Sequence, residues 1–188
     1  HDYLYFCTFG DPDGNGENDT WGMGAIGVTG LQAFSVIWSA FDVVPSAYYE
    51  TDGKIVAACQ TENYKKALEL LAKWFAEGII YPEFATMKDY GNDYYDTCVD
   101  VDENGNGLHV GLMWMPVATY LDDRLLAFNT YCPDIETEIF FNVEGIDGER
   151  RACYAYPNLY TNAYPYYFVY DTSDEKMIRC MQILNAFC

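Results

Sequence analysis

A chain of 188 residues is the size of one domain or of one lobe of a larger protein, and with 51% apolar residues it can fill a core. Its 29 acidic against 10 basic residues give a formal net charge of -19. That balance argues against nucleic acid and anionic membrane surfaces as partners, because such contacts need Lys and Arg to displace counterions.

The carboxylate excess suits divalent cations, which take hard oxygen ligands, although most single carboxylates belong to the solvated surface. Eighteen Tyr contribute to an aromatic content of 18%. Each offers an apolar face and a hydroxyl, a combination that fits sugars as well as half-buried strands. Seven Cys are scattered at 7, 59, 98, 132, 153, 180 and 188 with no C-x-x-C pair and only two His, which argues against a zinc site. An odd count leaves at least one thiol unpaired within the chain and the redox compartment open. No stretch approaches the roughly 20 apolar residues of a membrane span, and no basic start followed by an apolar run marks a signal peptide. The chain starts at His1 rather than Met, and both ends fall inside expected elements, so a piece of a longer protein is expected.

In chain order, residues 1 to 9 (HDYLYFCTF) read as the close of a helix, followed by the loop DPDGNGENDTWG. From Gly22 to Gly30 the chain is glycine-rich, and residues 31 to 45 form an apolar run expected to give a short helix and an extended piece. YYETDGKIV predicts a hairpin turning at Asp52-Gly53. Thr61 is the expected N-cap of a helix through about Glu77, with Leu68, Leu71 and Phe75 at helical spacing, and with Glu62/Lys66 and Glu69/Lys73 as pairs across one turn. Gly78 stands where a helix end favours a left-handed residue, and Pro82 blocks its continuation. Further on, VDENGNG predicts a turn, GLHVGLMWMP a strand, and residues 117 to 127 a helix. FFNVEGIDGERRACYAY reads as two strands about Asp147-Gly148, YYFVY as a strand, and DTSDEKMIRCMQILN as a closing helix with Met177, Met181 and Leu184 on one face.

The most informative spacing is Asp11-x-Asp13-x-Asn15-Gly16-Glu17-x-Asp19. Oxygen-bearing side chains fall at loop positions 1, 3, 5 and 9, with Gly at 6, which is the alternation that turns successive donors toward one calcium ion. Glu17, at position 7, would give its backbone carbonyl. Position 12 is Gly22, where an EF-hand carries a bidentate Glu, so remaining ligands come from elsewhere or from water. A plain Asx-rich turn is the alternative. A second partial match, Asp100-Val-Asp102-Glu-Asn104-Gly105-Asn106, lacks donors at Leu108 and Gly111 and reads as a turn without metal. Gly22-x-Gly24-x-x-Gly27 has the form of a dinucleotide fingerprint but follows a cation loop rather than a strand, so it is set aside. The Asn18-Asp-Thr20 sequon lies within the loop and matters only in a eukaryotic secretory protein. Two distant His and no G-x-S-x-G elbow give catalysis little support.

DPDGNGENDTWG, YYETDGKIV, ENYKKALELLAKWFAEGIIYPEFAT, GLHVGLMWMP and DTSDEKMIRCMQILN occur in an order that resembles extracellular solute-binding protein family 1, in particular the large lipoproteins of Gram-positive bacteria. The resemblance covers nearly the whole chain; the seven Cys and the acidic segment 96 to 106 depart from it. It implies an α/β fold, a type II periplasmic-binding-protein-like lobe with a mixed sheet flanked by helices, carrying the EF-hand-like calcium loop. Residues 1 to 188 would then be a single lobe or fragment of a two-lobed protein, with 1 to 30 the calcium loop and glycine-rich segment and 31 to 188 the α/β lobe. The implied function is non-enzymatic binding of an extracellular oligosaccharide, by hinge closure, for delivery to an ABC permease. The implied location is the outer face of the membrane, lipid-anchored in the full-length protein, or secreted. By the same resemblance Trp114 is the first candidate to stack on a sugar ring, followed by Trp38, Tyr49 and Tyr160. Two other classes stay open: a carbohydrate-active enzyme with structural calcium, and a calcium-dependent cell-surface interaction module.

Overall fold

The computed structural model describes residues 1–12, 14–26, 30–88, 93–99, 101–105, 109–114, 123–134, 136–138, 143–150 and 172–187. The chain divides into two compact units, His1–Ala155 and Tyr156–Cys188.

In the first unit, helix α1 (Asp2–Phe9) leads through the acidic loop into strand β1 (Thr20–Met23). This strand takes in the end of the expected loop and the start of the glycine-rich segment, where no strand was expected. It pairs in parallel with β4 (His109–Leu112) in the register Thr20↔His109, Trp21↔Val110 and Met23↔Leu112. On its other side Met23 bridges Ile80 in parallel, with Met23 N–H donating to Ile79 O (3.0 Å) and Tyr81 N–H to Met23 O (3.0 Å). Glycine is required inside β1 by proximity. A Cβ at Gly22 would lie 2.5 Å from Leu4 O, because α1 lies directly against the strand. The Gly22-x-Gly24 pattern therefore does begin in a strand, contrary to the premise on which it was set aside. A Cβ at Gly24 would meet Cys98 Sγ at 2.7 Å, so packing accounts for both glycines; Gly27 lies outside the described residues.

Helices α2 (Gly30–Ala33) and α3 (Ser35–Ala40) follow, then the hairpin β2 (Tyr48–Thr51) and β3 (Lys54–Ala57). Its turn is where Asp-Gly placed it: Asp52 and Gly53 take φ of 52° and 73°, the double positive φ of a type I′ turn. Among the described residues there are two small sheets, one parallel and one antiparallel, where one mixed sheet was expected.

Helix α4 (Glu62–Ala76) starts at Thr61, whose hydroxyl accepts from Tyr64 N–H at 3.3 Å. It ends in a Schellman arrangement at Gly78 (φ 81°), with Gly78 N–H donating to Phe75 O and Ile79 N–H to Trp74 O. The buried stripe is Ala67, Leu71 and Trp74, not Leu68, Leu71 and Phe75; Leu68 and Phe75 are 45% and 46% exposed. Trp74 is the largest apolar side chain on the helix, and turning it inward rotates the stripe by about one residue. The ion pairs rotate as well: Lys65–Glu69 (3.9 Å), exposed, and Lys73–Glu77 (3.8 Å), with Glu77 half-buried, form and are worth a few tenths of a kcal/mol each.

Helix α5 (Tyr95–Val99) lies in and beside the acidic segment, and α6 (Asp123–Tyr131) corresponds to the end of the expected 117 to 127 helix, the rest of which is outside the described residues. Glu144 and Arg150 pair across the Asp147-Gly148 turn; the flanking strands and YYFVY lie outside the described residues. Two apolar clusters result. The first joins Leu4, Met23, Phe34, Ile37, Trp38, Leu71, Trp74 and Ile80. The second joins Ile26, Met87, Tyr94, Tyr95, Cys98, Val99, Phe128 and Cys132, with Val110 and Met113 of the β4 segment packed against it. In the second unit, α7 (Asp174–Phe187) forms as the closing helix, its first turn held by Met177 N–H donating to Ser173 O at 3.0 Å.

Candidate functional site

The acidic loop is closed at its base by one buried hydroxyl. Thr8 Oγ1 donates to Leu4 O at 3.1 Å, one turn back in α1, and accepts the Gly22 N–H at 2.9 Å, so the residues flanking the loop on either side are joined. Thr8 is 6% exposed, which makes this bond hard to replace with water. The loop also folds back on itself. Asp11, at φ 49°, accepts the Gly16 N–H through Oδ2 (3.0 Å), Asn15 Oδ1 accepts the Glu17 N–H (2.7 Å), and Asn15 Nδ2 donates to Asp19 Oδ2 (3.0 Å). Gly14 and Gly16, at φ 72° and 83°, supply the bends.

This leaves two carboxylate oxygens, Asp11 Oδ1 and Asp19 Oδ1, buried without a hydrogen-bond partner. A buried carboxylate oxygen lacking a donor is costly, and a hard cation is one kind of partner that relieves it. Asp13 lies outside the described residues. Among the described residues no group of three or more His, Cys, Asp and Glu side chains is placed to hold a metal ion. Oxygen-bearing residues such as Asp11, Asn15 and Asp19 are of the kind that suits calcium rather than zinc. The second loop forms an Asx turn, with Asn104 N–H donating to Asp102 Oδ1 at 2.8 Å; Asp100 and Asn106 lie outside the described residues.

Among the described aromatic candidates, Trp38 lies in the first apolar cluster and Tyr49 packs against it, whereas Trp114 follows β4. Trp38 is 3% exposed, stacked on Tyr64 with centroids 5.2 Å apart, and belongs to the first core cluster. Tyr49 is half-buried on β2, and its hydroxyl accepts the Val44 N–H at 2.7 Å. Tyr160 lies outside the described residues. Trp114 is half-buried two residues past the end of β4, its backbone held by Tyr94. Two concavities flank α1, one of about 450 Å³ lined by His1, Asp2, Tyr5, Phe6, Phe9 and Gly10, the other of about 320 Å³ including Thr8, Asn18, Thr20, Trp21 and Glu77; neither includes the four candidates.

Sequence reasoning missed Thr8 and Tyr94. The only signal for Thr8 was its place four residues after Leu4, from which a helical hydroxyl reaches back to a carbonyl. The thiols among the described residues are unbridged. Cys59 and Cys180 are exposed, whereas Cys7, Cys98 and Cys132 are buried. Burial pushes the Cys98 thiol up to about 12, and burial foremost raises Cys7 as well, so neither is a ready nucleophile.

No family model matches the chain. Lipoprotein LipO of Bacillus subtilis (strain 168) is 36% identical over 80 residues, which is 41% of this chain and 16% of that protein. An extracellular solute-binding protein from Bifidobacterium longum subsp. infantis, known from its crystal structure, superposes with a TM-score of 0.53 at 19% identity over 68% of this chain and 27% of its own. The matched regions thus span well under a third of either protein. The likeness gives the architecture: a mixed α/β chain with helices and small sheets, folded like part of an extracellular solute-binding protein.

Proposed function

We propose that the chain is part of a two-lobed extracellular binding protein that captures an oligosaccharide and hands it to an ABC permease, making and breaking no bonds. The observation that carries this reading is the structural likeness to a solute-binding protein over two thirds of the chain. The similarity to a protein named as a lipoprotein supports a place on the outer face of the membrane. Trp114 is the residue we assign to the sugar ring, since it is half-buried at the end of a core strand, and indole faces stack on the C–H faces of sugars. Trp38 and Tyr49 serve the core and the β2 segment in the described conformation, and Tyr160 stays a secondary candidate.

Asp11, Asp13, Asn15, Glu17 and Asp19 would hold one calcium ion. Bound there, the cation would supply positive charge to oxygens that the fold buries without donors. Its role is to fix the segment between α1 and β1, with the donors drawn from the loop itself.

The test is a thermal-shift screen of the complete two-lobed protein against maltotriose, cellotriose, xylotriose and mannotriose, with and without EDTA. A sugar-specific rise in Tm with no hydrolysis product is expected. Turnover of any of these sugars would replace binding with catalysis, and a melting temperature indifferent to EDTA and to added calcium would remove the metal.

A further inference from the structure

We propose that Tyr94 is a positioning residue: its buried hydroxyl grips both backbone groups of Trp114 and so presents the indole as a fixed platform for a ring-bearing solute. The solute part rests on the reading of Trp114 given above.

The geometry is specific. The parallel ladder ends at Leu112, whose carbonyl accepts the Gly24 N–H at 2.9 Å. Trp114, two residues further on, lies past the last register pair of that ladder. Tyr94 takes the place of a ladder neighbour, with its hydroxyl accepting the Trp114 N–H at 3.1 Å and donating to the Trp114 carbonyl at 3.0 Å. One oxygen thereby binds both ends of a single residue, which restrains the backbone from which the indole projects. The phenol is held by close packing. Tyr94 is 0% exposed, sits in the second apolar cluster with Ile26, Cys98 and Val99, and has the Tyr95 ring 5.4 Å away. A buried phenol needs a partner for its hydroxyl. Here the partner is the backbone of the one half-buried Trp that follows the sheet. Stacking rewards an aromatic face that is already in place, because ordering it on binding subtracts from affinity.

The experiment reads the indole directly. The chain holds four Trp, at 21, 38, 74 and 114. Labelled with 5-fluorotryptophan, the 188-residue chain gives four ¹⁹F resonances, each assigned by a single Trp→Phe change. Tyr94→Phe keeps the ring volume and removes only the oxygen. The Trp114 resonance is expected to shift and broaden while the other three stay in place, and in the complete protein affinity for the trisaccharide that Trp114 binds is expected to fall about tenfold. An unmoved Trp114 resonance overturns the role of Tyr94 and leaves the reading of Trp114 standing. Movement of all four lines also overturns it, since it shows a general loosening. If Trp114→Ala binds all four trisaccharides as the parent does, the solute drops out of the proposal together with the reading on which it rests.

Discussion

Replacing Thr8 with Val tests whether one hydroxyl holds α1 to β1 across the acidic loop. Val keeps the shape and the β-branch but removes Oγ1, which accepts the Gly22 N–H at 2.9 Å and donates to Leu4 O at 3.1 Å. The two partners lose unequally. Leu4 O lies inside a helix and keeps a backbone donor four residues on. The Gly22 N–H sits in a strand packed so closely on α1 that a Cβ would lie 2.5 Å from Leu4 O, so water has little room to replace the lost acceptor. A buried donor left unsatisfied costs roughly 1–3 kcal/mol. For a chain of this length that is a fall in Tm of about 2–4 °C per kcal/mol. Thr8→Ser keeps the oxygen and gives up one methyl group, about 0.8 kcal/mol. Urea unfolding followed by tryptophan fluorescence, with amide exchange at Gly22 as a local probe, separates the two variants. Val should be the less stable, and only Val should speed exchange at Gly22. Equal midpoints and unchanged Gly22 exchange would refute the argument that this bond holds the loop base.

Gly22→Ala places its Cβ 2.5 Å from Leu4 O and 2.8 Å from Ile79 Cγ2, and overpacking of this kind costs roughly 1–3 kcal/mol; an unchanged urea midpoint would show that α1 yields freely. N-ethylmaleimide at pH 7.5 should label Cys59 and Cys180 and spare Cys7, Cys98 and Cys132 until urea is added, as peptide mass mapping would read. The Cys98 thiol rises from an ordinary value of 9.0 to about 12 on burial, so the stability tied to its neutral form is whole below pH 9 and declines as pH climbs toward 12. Cys98→Ala should flatten that alkaline decline in urea titrations. Asp11→Asn with Asp19→Asn should weaken calcium binding at least about tenfold by calorimetry, because the pair supplies two anionic donors. If no cation is held, removing two negative charges from a chain of net charge -19 should instead leave the variant equally or more stable in EDTA.

The elements legible in the sequence are those whose signals are local. Thr61 and Gly78 bracket α4 because capping is decided within one turn of the chain, and Asp52-Gly53 fixes its hairpin because only such residues take two positive φ values in a row. β1 was hidden because Thr-Trp-Gly-Met carries no alternation and its partners lie far along the chain at Ile80 and His109. The inward stripe of α4 was misjudged by one position because Leu68, Leu71 and Phe75 satisfy the period as well as Ala67, Leu71 and Trp74 do. Only the neighbours, Ile79 and Ile80 among them, decide between the two. Within the candidate site the donor spacing of residues 11 to 19 was plain. Tyr94 was not, since nothing marks one Tyr among eighteen as the one whose hydroxyl meets Trp114.

A strand that pairs on one side with Ile80 and on the other with β4 also sets an order of events for folding. Helix α4 and the hairpin draw on near neighbours and can form early, but β1 has no lateral partner until long stretches of chain have been looped back to it. The acidic loop, by contrast, takes its own hydrogen bonds from within residues 4 to 22. A nascent chain emerging as far as residue 60 would therefore carry the loop and its local bonds without either neighbour that pairs with β1.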